Sequence, residues 1–213
     1  MAKRNIQVNT KVIAGVTDSA EKLLRGTGQP RVLCVAPAWN EGERIARVVQ
    51  AVPGEFVETT VVVDDGSGDD TAFHAENSGA IVISSGANRG VGAAIRSGID
   101  YAIANGYDIV VIVSGGGKTP PEQIPRLLDP IINGEVELAQ GSRYLDGGEY
   151  LRMPLRRRLG TRGYTILFSL FCRHRVTDAS SGFRSTMMRR AADSNFSASS
   201  VRSCLRYALA RSL

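Results

Sequence analysis

The sequence predicts an α/β domain, a Rossmann-like, mostly parallel sheet flanked by helices, and three observations carry that expectation. Short apolar runs recur along the chain, each bounded by polar or glycine-rich residues. Stretches of 10 to 17 residues with helical spacing separate them. The loops that follow the apolar runs are the polar ones, as expected of a sheet that offers one rim to a ligand.

The first buried strand is read at Val32–Ala36, a continuous apolar run of the kind that is covered on both faces. Ile45, Val48, Val49 and Val52 then recur at helical spacing. "VETTVVVDDGSGDDTAFHAENSG" repeats the scheme of strand, acidic turn and helix. "AIVISS" is the third strand and "GVGAAIRSGIDYAIANG" its helix; "YDIVVIVSG" is the fourth strand, before a helix that starts near Pro121. Residues 1–30 read as an N-terminal appendage with one amphipathic helix from Thr17 to Leu24.

Composition narrows the classes. The net charge of +5 is local: residues 143–190 hold 11 Arg against Asp146, Glu149 and Asp178, while the rest of the chain is slightly acidic. A compact arginine cluster meets a phosphate or an anionic membrane surface more often than nucleic acid. With 6% aromatic residues there is no base-stacking platform, and no nucleic acid is expected as a partner. The longest apolar run, Tyr164 to Cys172, is about half of what a bilayer span needs. Three cysteines without metal-ligand spacing, and no secretory leader, make a reducing, cytoplasmic setting the expectation.

Two glycine-rich loops imitate nucleotide motifs. Gly90, Gly92 and Ala93 approximate a dinucleotide fingerprint, but Ile95 stands where the third glycine belongs. Gly117–Thr119 resembles the end of a P-loop, yet the leading glycine would fall at Ile112, inside a strand. In "VVVDDGSGDDT" strand alternation sends one of Asp64 and Asp65 inward and the other over the rim. Asp65 then either accepts hydrogen bonds from a base or ribose, or one Asp simply helps to cap the next helix with Ser67 and Asp69 or Asp70.

Read in order, "VAPAWNEGERI", "VVVDDGSGDDT", "ANRGVGAAIRSGI", "SGGGKTPPEQIPRLL", "GSRYLDGG", an arginine-rich segment and "TDASSGFR" resemble the family 2 glycosyltransferases, in the branch of dolichol-phosphate mannosyltransferases and other polyprenyl-phosphate glycosyltransferases. The resemblance spans about residues 31–187, a GT-A glycosyltransferase domain, and implies transfer of a sugar from a UDP- or GDP-linked donor with inversion at the anomeric carbon. It implies that Pro37, Ala38, Asn40 and Glu41 line the nucleotide pocket, that Asp65 reads the base, and that Arg89 and Gly90 lie near the donor. Arg143, Arg158 or Arg162, and Ser181 would hold the phosphate of a polyprenyl phosphate acceptor.

The chain departs from the family at the fourth strand end. Asp-x-Asp-Gly-Gln aligns with Ser114-Gly115-Gly116-Gly117-Lys118, so both carboxylates are missing. A divalent ion there, Mg2+ or Mn2+, would neutralise charge on the departing diphosphate, and serine and glycine are poor ligands for it. No metal ligand set is therefore assigned. Lys118 is expected to supply the positive charge instead, with glycine amides at the start of the next helix adding anion contacts and Ser114 and Gly116 lining the donor site.

An acceptor phosphate is already ionised and needs no general base, whereas a sugar hydroxyl would need one. Asp178 is the candidate base, or else a structural residue of its loop. The five arginines from Arg152 to Arg162 read as a face divided between anionic headgroups and the acceptor phosphate, hence peripheral membrane attachment. Residues 188–213 read as a divergent or truncated tail with a helix from Ser200 to Leu213, and a partner or a second copy is expected to complete the fold. Two alternatives stand beside the transferase. One is a catalytically impaired protein that only binds sugar nucleotides. The other is a nucleotidyltransferase, although "APAWNEGER" lacks the glycine-rich, lysine-bearing signature expected after its first strand.

Overall fold

The computed structural model describes residues 7–9, 30–136, 138–142, 156, 160–161, 163–166 and 181–188. Arg143, Arg158, Arg162 and Asp178, and the helices expected over Thr17–Leu24 and Ser200–Leu213, lie outside these residues.

Seven strands form one sheet among the described residues: β1 (Gln7–Asn9), β2 (Val32–Ala38), β3 (Thr59–Asp64), β4 (Ile81–Ser84), β5 (Ile109–Ile112), β6 (Leu138–Ser142) and β7 (Arg184–Met187). Their spatial order is β1-β6-β7-β5-β2-β3-β4. β5, β2, β3 and β4 are parallel neighbours; β7 runs antiparallel to both β5 and β6, and β1 antiparallel to β6. The helices are α1 (Arg44–Gln50), α2 (Thr71–Asn77), α3 (Val91–Ala104) and α4 (Ile124–Ile132), the last entered through a single 3-10 turn at Pro121–Gln123.

The continuous apolar reading of β2 is explained by two separate cores, one on each face of the sheet. Val32, Cys34 and Ala36 pack on one face with Ile45, Val48 and Val49 of α1, Ala75 of α2, and Ile124, Leu127 and Leu128 of α4. Leu33 and Val35 face the other side, against Ala94, Ile99 and Ala102 of α3. α3 rests on β2 so closely that a Cβ on Gly98 would stand 2.3 Å from a methyl of Val35. Burial at this density leaves Cys34 fully enclosed and pushes its thiol up to about 12, so it is an inert core residue.

β1 and β7 were not read from the sequence. Gln7–Asn9 adds an edge strand to β6, so this part of the first 30 residues belongs to the sheet. β7 inserts between β5 and β6 with Arg184 opposite Ile112, which sends the preceding residues, Ser181 to Phe183, past the carboxyl end of β5.

The opposite end of the sheet is closed by Arg31. Its guanidinium holds both oxygens of Glu58 at 2.7 and 2.9 Å, donates to the Asn105 carbonyl at 2.8 Å and lies 4.5 Å from the Tyr107 ring centre. Its amide donates to Asp108 at 2.9 Å. One residue thus ties together the entries to β2, β3 and β5. The hydrogen bond from Arg31 holds the Glu58 carboxyl below its ordinary value of 4.5.

A carboxyl lowered in this way binds fewer protons in the folded chain than in the unfolded one. Its contribution is complete above the unfolded value and is lost as pH falls through the folded one. In thermal melts the midpoint is expected to lose this contribution only below about pH 4.5, and Arg31→Met should flatten that part of the acid limb. Because both side chains are partly exposed, the effect is a small one.

Candidate active site on the strand-end rim

The loops after β2, β3, β4 and β5 meet at one rim and are fastened to one another by backbone amides that donate to carbonyls and to side-chain oxygens. The Asp65 amide donates to the Ala38 carbonyl at 2.9 Å, and the Gly115 amide to the Pro37 carbonyl at 3.2 Å. Asn40, in the left-handed region at φ 51°, accepts from the Gly68 amide at 2.8 Å while its own amide donates to the Ser67 hydroxyl at 2.9 Å. This reciprocal pair explains why an asparagine rather than a β-branched residue occupies that turn.

Asp65 is the centre of the network. Its Oδ1 accepts from the Arg89 amide at 2.9 Å and from the Ser85 hydroxyl at 3.3 Å, and its Oδ2 accepts from the Gly90 amide at 2.7 Å. The expectation that one of Asp64 and Asp65 projects over the rim is not met, since both are buried. The reason is local. The β4 loop folds over Asp65, while Asp64 turns back to accept from the Ser67 amide at 3.1 Å. The two loops approach so closely that a Cβ on Gly66, at φ 73°, would stand 2.5 Å from the Ala87 carbonyl carbon. Of the two acids expected at the next helix entrance, Asp70 makes no side-chain cap bond, while Asp69 accepts from the Thr71 amide and hydroxyl. Those bonds hold the Asp69 carboxyl below the usual range.

Sequence reasoning passed over Thr71 and Trp39. The Thr71 hydroxyl accepts from the amides of both Glu41 and Gly42 at 2.9 Å, so it sets the turn that presents Glu41. Its signal was a hydroxyl residue following "GDD" at a helix entrance. Trp39, the single tryptophan, is 53% exposed beside Asn40.

At the loop after β5, Ser114 donates its amide to the Thr119 hydroxyl at 2.9 Å, and the Gly117 amide returns to the Ser114 carbonyl at 3.0 Å. With Gly115 bonded to Pro37, two of the three glycine amides are engaged inside the protein. The expected set of anion-binding amides therefore narrows to that of Gly116. Lys118 is exposed and makes no hydrogen bond or ion pair among the described residues. Glu41 leans over this loop, its carboxylate paired with Arg44 at 3.3 Å. Ser181 reaches the same end of the sheet, buried, with its carbonyl accepting from Gln140 at 3.1 Å and Arg184 at 2.9 Å. Pro37, Ala38, Asn40, Glu41, Asp65, Arg89, Gly90, Ser114, Gly116, Lys118 and Ser181 thus all belong to loops or strand ends on one rim.

Among the described residues no three His, Cys, Asp or Glu side chains are grouped to hold a metal ion. At the β5 loop the oxygens available to a cation are the Ser114 hydroxyl, glycine carbonyls and the Glu41 carboxylate that lies against Gly116.

The sequence signature described as glycosyl transferase family 2 matches residues 34–196. The chain belongs to that family. Among its relatives, a UDP-N-acetylglucosamine--dolichyl-phosphate N-acetylglucosaminyltransferase of Methanococcus voltae is 30% identical over 170 residues, covering 72% of this chain and 68% of the relative. A polyprenol monophosphomannose synthase of Mycolicibacterium smegmatis is 35% identical over 137 residues, covering 60% and 50%. Among solved structures, glucosyl-3-phosphoglycerate synthase of Mycobacterium tuberculosis, in complex with Mn2+, UDP and glucosyl-3-phosphoglycerate, superposes with a TM-score of 0.53 at 25% identity over 83% of this chain and 62% of that one. This family 2 chain therefore has the GT-A fold, and it spans about half to two thirds of the length of these relatives. No helix among the described residues is long and apolar enough to cross a membrane.

Proposed function

We propose that the protein transfers a sugar from a UDP- or GDP-linked donor to a polyprenyl phosphate, and that it stabilises the leaving diphosphate with Lys118 in place of a metal ion. The observation that carries this reading is the rim itself. Three strand-end loops are locked around the buried Asp65, and beside them a fourth has Ser114 and Gly116 where the resemblance implies carboxylates, with Lys118 two residues further on. Family membership and the names of the relatives support the reaction class and the lipid-phosphate acceptor.

In this reading Pro37, Ala38, Asn40, Glu41, Asp65, Arg89, Gly90, Ser114 and Gly116 form the donor side. Arg143, Arg158, Arg162 and Ser181 hold the acceptor phosphate. A phosphate oxygen of the acceptor attacks the anomeric carbon, forming a new carbon–oxygen bond as the bond to the diphosphate breaks. No proton has to be removed, so Asp178 is required as a base only if the acceptor is a hydroxyl. Negative charge grows on the diphosphate as it departs, and in this reading the Lys118 ammonium offsets it most at that moment. The arginine-rich segment brings the protein to an anionic membrane surface, where such an acceptor resides.

The absence of both family carboxylates at Ser114 and Gly116 favours one other reading, a sugar-nucleotide-binding protein without turnover. A screen of nucleotide sugars against polyprenyl phosphates in anionic liposomes, with magnesium and with chelator, separates the two. Sugar-lipid product in chelator supports the transferase. Donor binding without product in any combination supports the alternative.

A further inference from the structure

The sheet divides the rim into two halves. The donor loops follow the parallel strands, whereas Ser181 leads into β7 in the antiparallel half, between β5 and β6. The Ser181 hydroxyl oxygen accepts from the Phe183 amide at 3.4 Å, which leaves its O–H to donate to a phosphate. Its carbonyl accepts from Arg184 Nε at 2.9 Å and from Gln140 Nε2 at 3.1 Å. Arg184 belongs to the segment that Ser181 opens, so the bond that ties Ser181 to a different strand is the one from Gln140 of β6.

β6 is itself held from both sides. The Gly141 amide donates to the Phe183 carbonyl at 3.0 Å, so the backbone groups of Gly141 point toward β7. Successive residues of a strand direct theirs to opposite sides, and those of Gln140 and Ser142 therefore point toward β1. There they stand opposite Asn9 and Gln7, at the positions where an antiparallel pair exchanges both backbone hydrogen bonds. Ser142 is 1% exposed, and backbone groups so deep are costly to leave without a partner. Three residues of β1 thus close the edge of the strand that carries Gln140. They lie outside residues 34–196, the part of the chain that matches the family.

We propose that β1 is a brace for the acceptor half of the site: it holds Gln140, and Gln140 positions Ser181 for the acceptor phosphate. The proposal rests on the acceptor reading above and adds to it positioning residues that touch neither substrate.

Asn9→Pro removes the amide that faces Gln140, Asn9→Ala keeps it, and Gln140→Met keeps the side-chain length but loses its donor. In liposomes, Asn9→Pro and Gln140→Met are expected to raise the KM for polyprenyl phosphate by about fivefold, the effect of losing one hydrogen bond, with the donor KM unchanged. Asn9→Ala should behave as the wild type. Trp39 is the single tryptophan and stands beside Asn40 on the donor side, so its fluorescence in titrations with UDP and GDP should show wild-type affinity in all three variants. Amide exchange read by mass spectrometry needs no acceptor. In Asn9→Pro it should quicken over residues 138–142 and 181–184 and stay unchanged over 59–66.

Equal rises in donor and acceptor KM, or an Asn9→Ala as impaired as Asn9→Pro, would overturn the brace. So would unchanged exchange over 138–142 in Asn9→Pro. Should Asn9→Pro melt well below the wild type, the KM comparison in Gln140→Met decides. A wild type that transfers sugar to no polyprenyl phosphate would instead overturn the acceptor reading, and the two failures are told apart because exchange reads the brace without it.

Discussion

Lys118→Ala is expected to lower turnover by about a hundredfold, the size of loss that follows removal of one preorganised group from a developing oxyanion. The expectation follows from what surrounds the diphosphate in the proposed mode. Gly115 and Gly117 spend their amides on Pro37 and Ser114. Glu41 brings a negative charge to the same loop, so Lys118 is the cation that the β5 loop itself provides. Charge on the departing diphosphate is greater in the transition state than in the bound donor, so kcat should fall more than the donor KM rises. Steady-state kinetics on the purified protein check both quantities. Lys118→Arg keeps the charge and should retain much of the activity. Turnover unchanged in Lys118→Ala would remove the lysine from the mechanism.

Asp65→Asn should be the most damaging isosteric change at the rim. The carboxylate accepts from two backbone amides, Arg89 on Oδ1 and Gly90 on Oδ2, from a buried position. A carboxamide keeps one acceptor and turns an N–H toward the other amide, leaving a buried donor facing a donor. The cost is about 2–3 kcal/mol, which for a chain of this size lowers the melting midpoint by roughly 5–10 °C. Because Asp65 ties the β4 loop to the β3 loop, nucleotide binding should be lost along with the stability, even at temperatures where the variant is folded. Scanning calorimetry and the Trp39 titration read the two effects separately. A variant with wild-type melting and wild-type affinity would show that Asp65 does not hold the rim.

The parallel half of the sheet was legible because strands buried on both faces must be continuously apolar, as in "VLCVA" and "IVVI". β7 was not. "RSTM" has neither an apolar run nor alternation, and it is a strand because β5 and β6 offer it hydrogen bonds on both sides. β1 is three residues long and exists through its pairing with Gln140–Ser142, far along the chain. At the site, the motif residues could be placed on one rim from their positions at strand ends. Their individual roles could not, because those depend on how one loop folds over another. Asp65 looked like a residue that reaches into solvent, yet the β4 loop closes over it. Glu41 looked like one more pocket residue, and only the spatial approach of two loops sets its carboxylate against Gly116.

The β5 loop carries Lys118 two residues past Gly116, and calorimetric titration of the wild-type protein with UDP and GDP, in chelator and again in magnesium or manganese, tests most directly whether that lysine takes the place of a metal ion. The account predicts binding of one nucleoside diphosphate in chelator, with little change on adding either ion and a marked loss in Lys118→Ala. Binding that appears only when the metal is supplied, and that survives loss of the lysine, would contradict it.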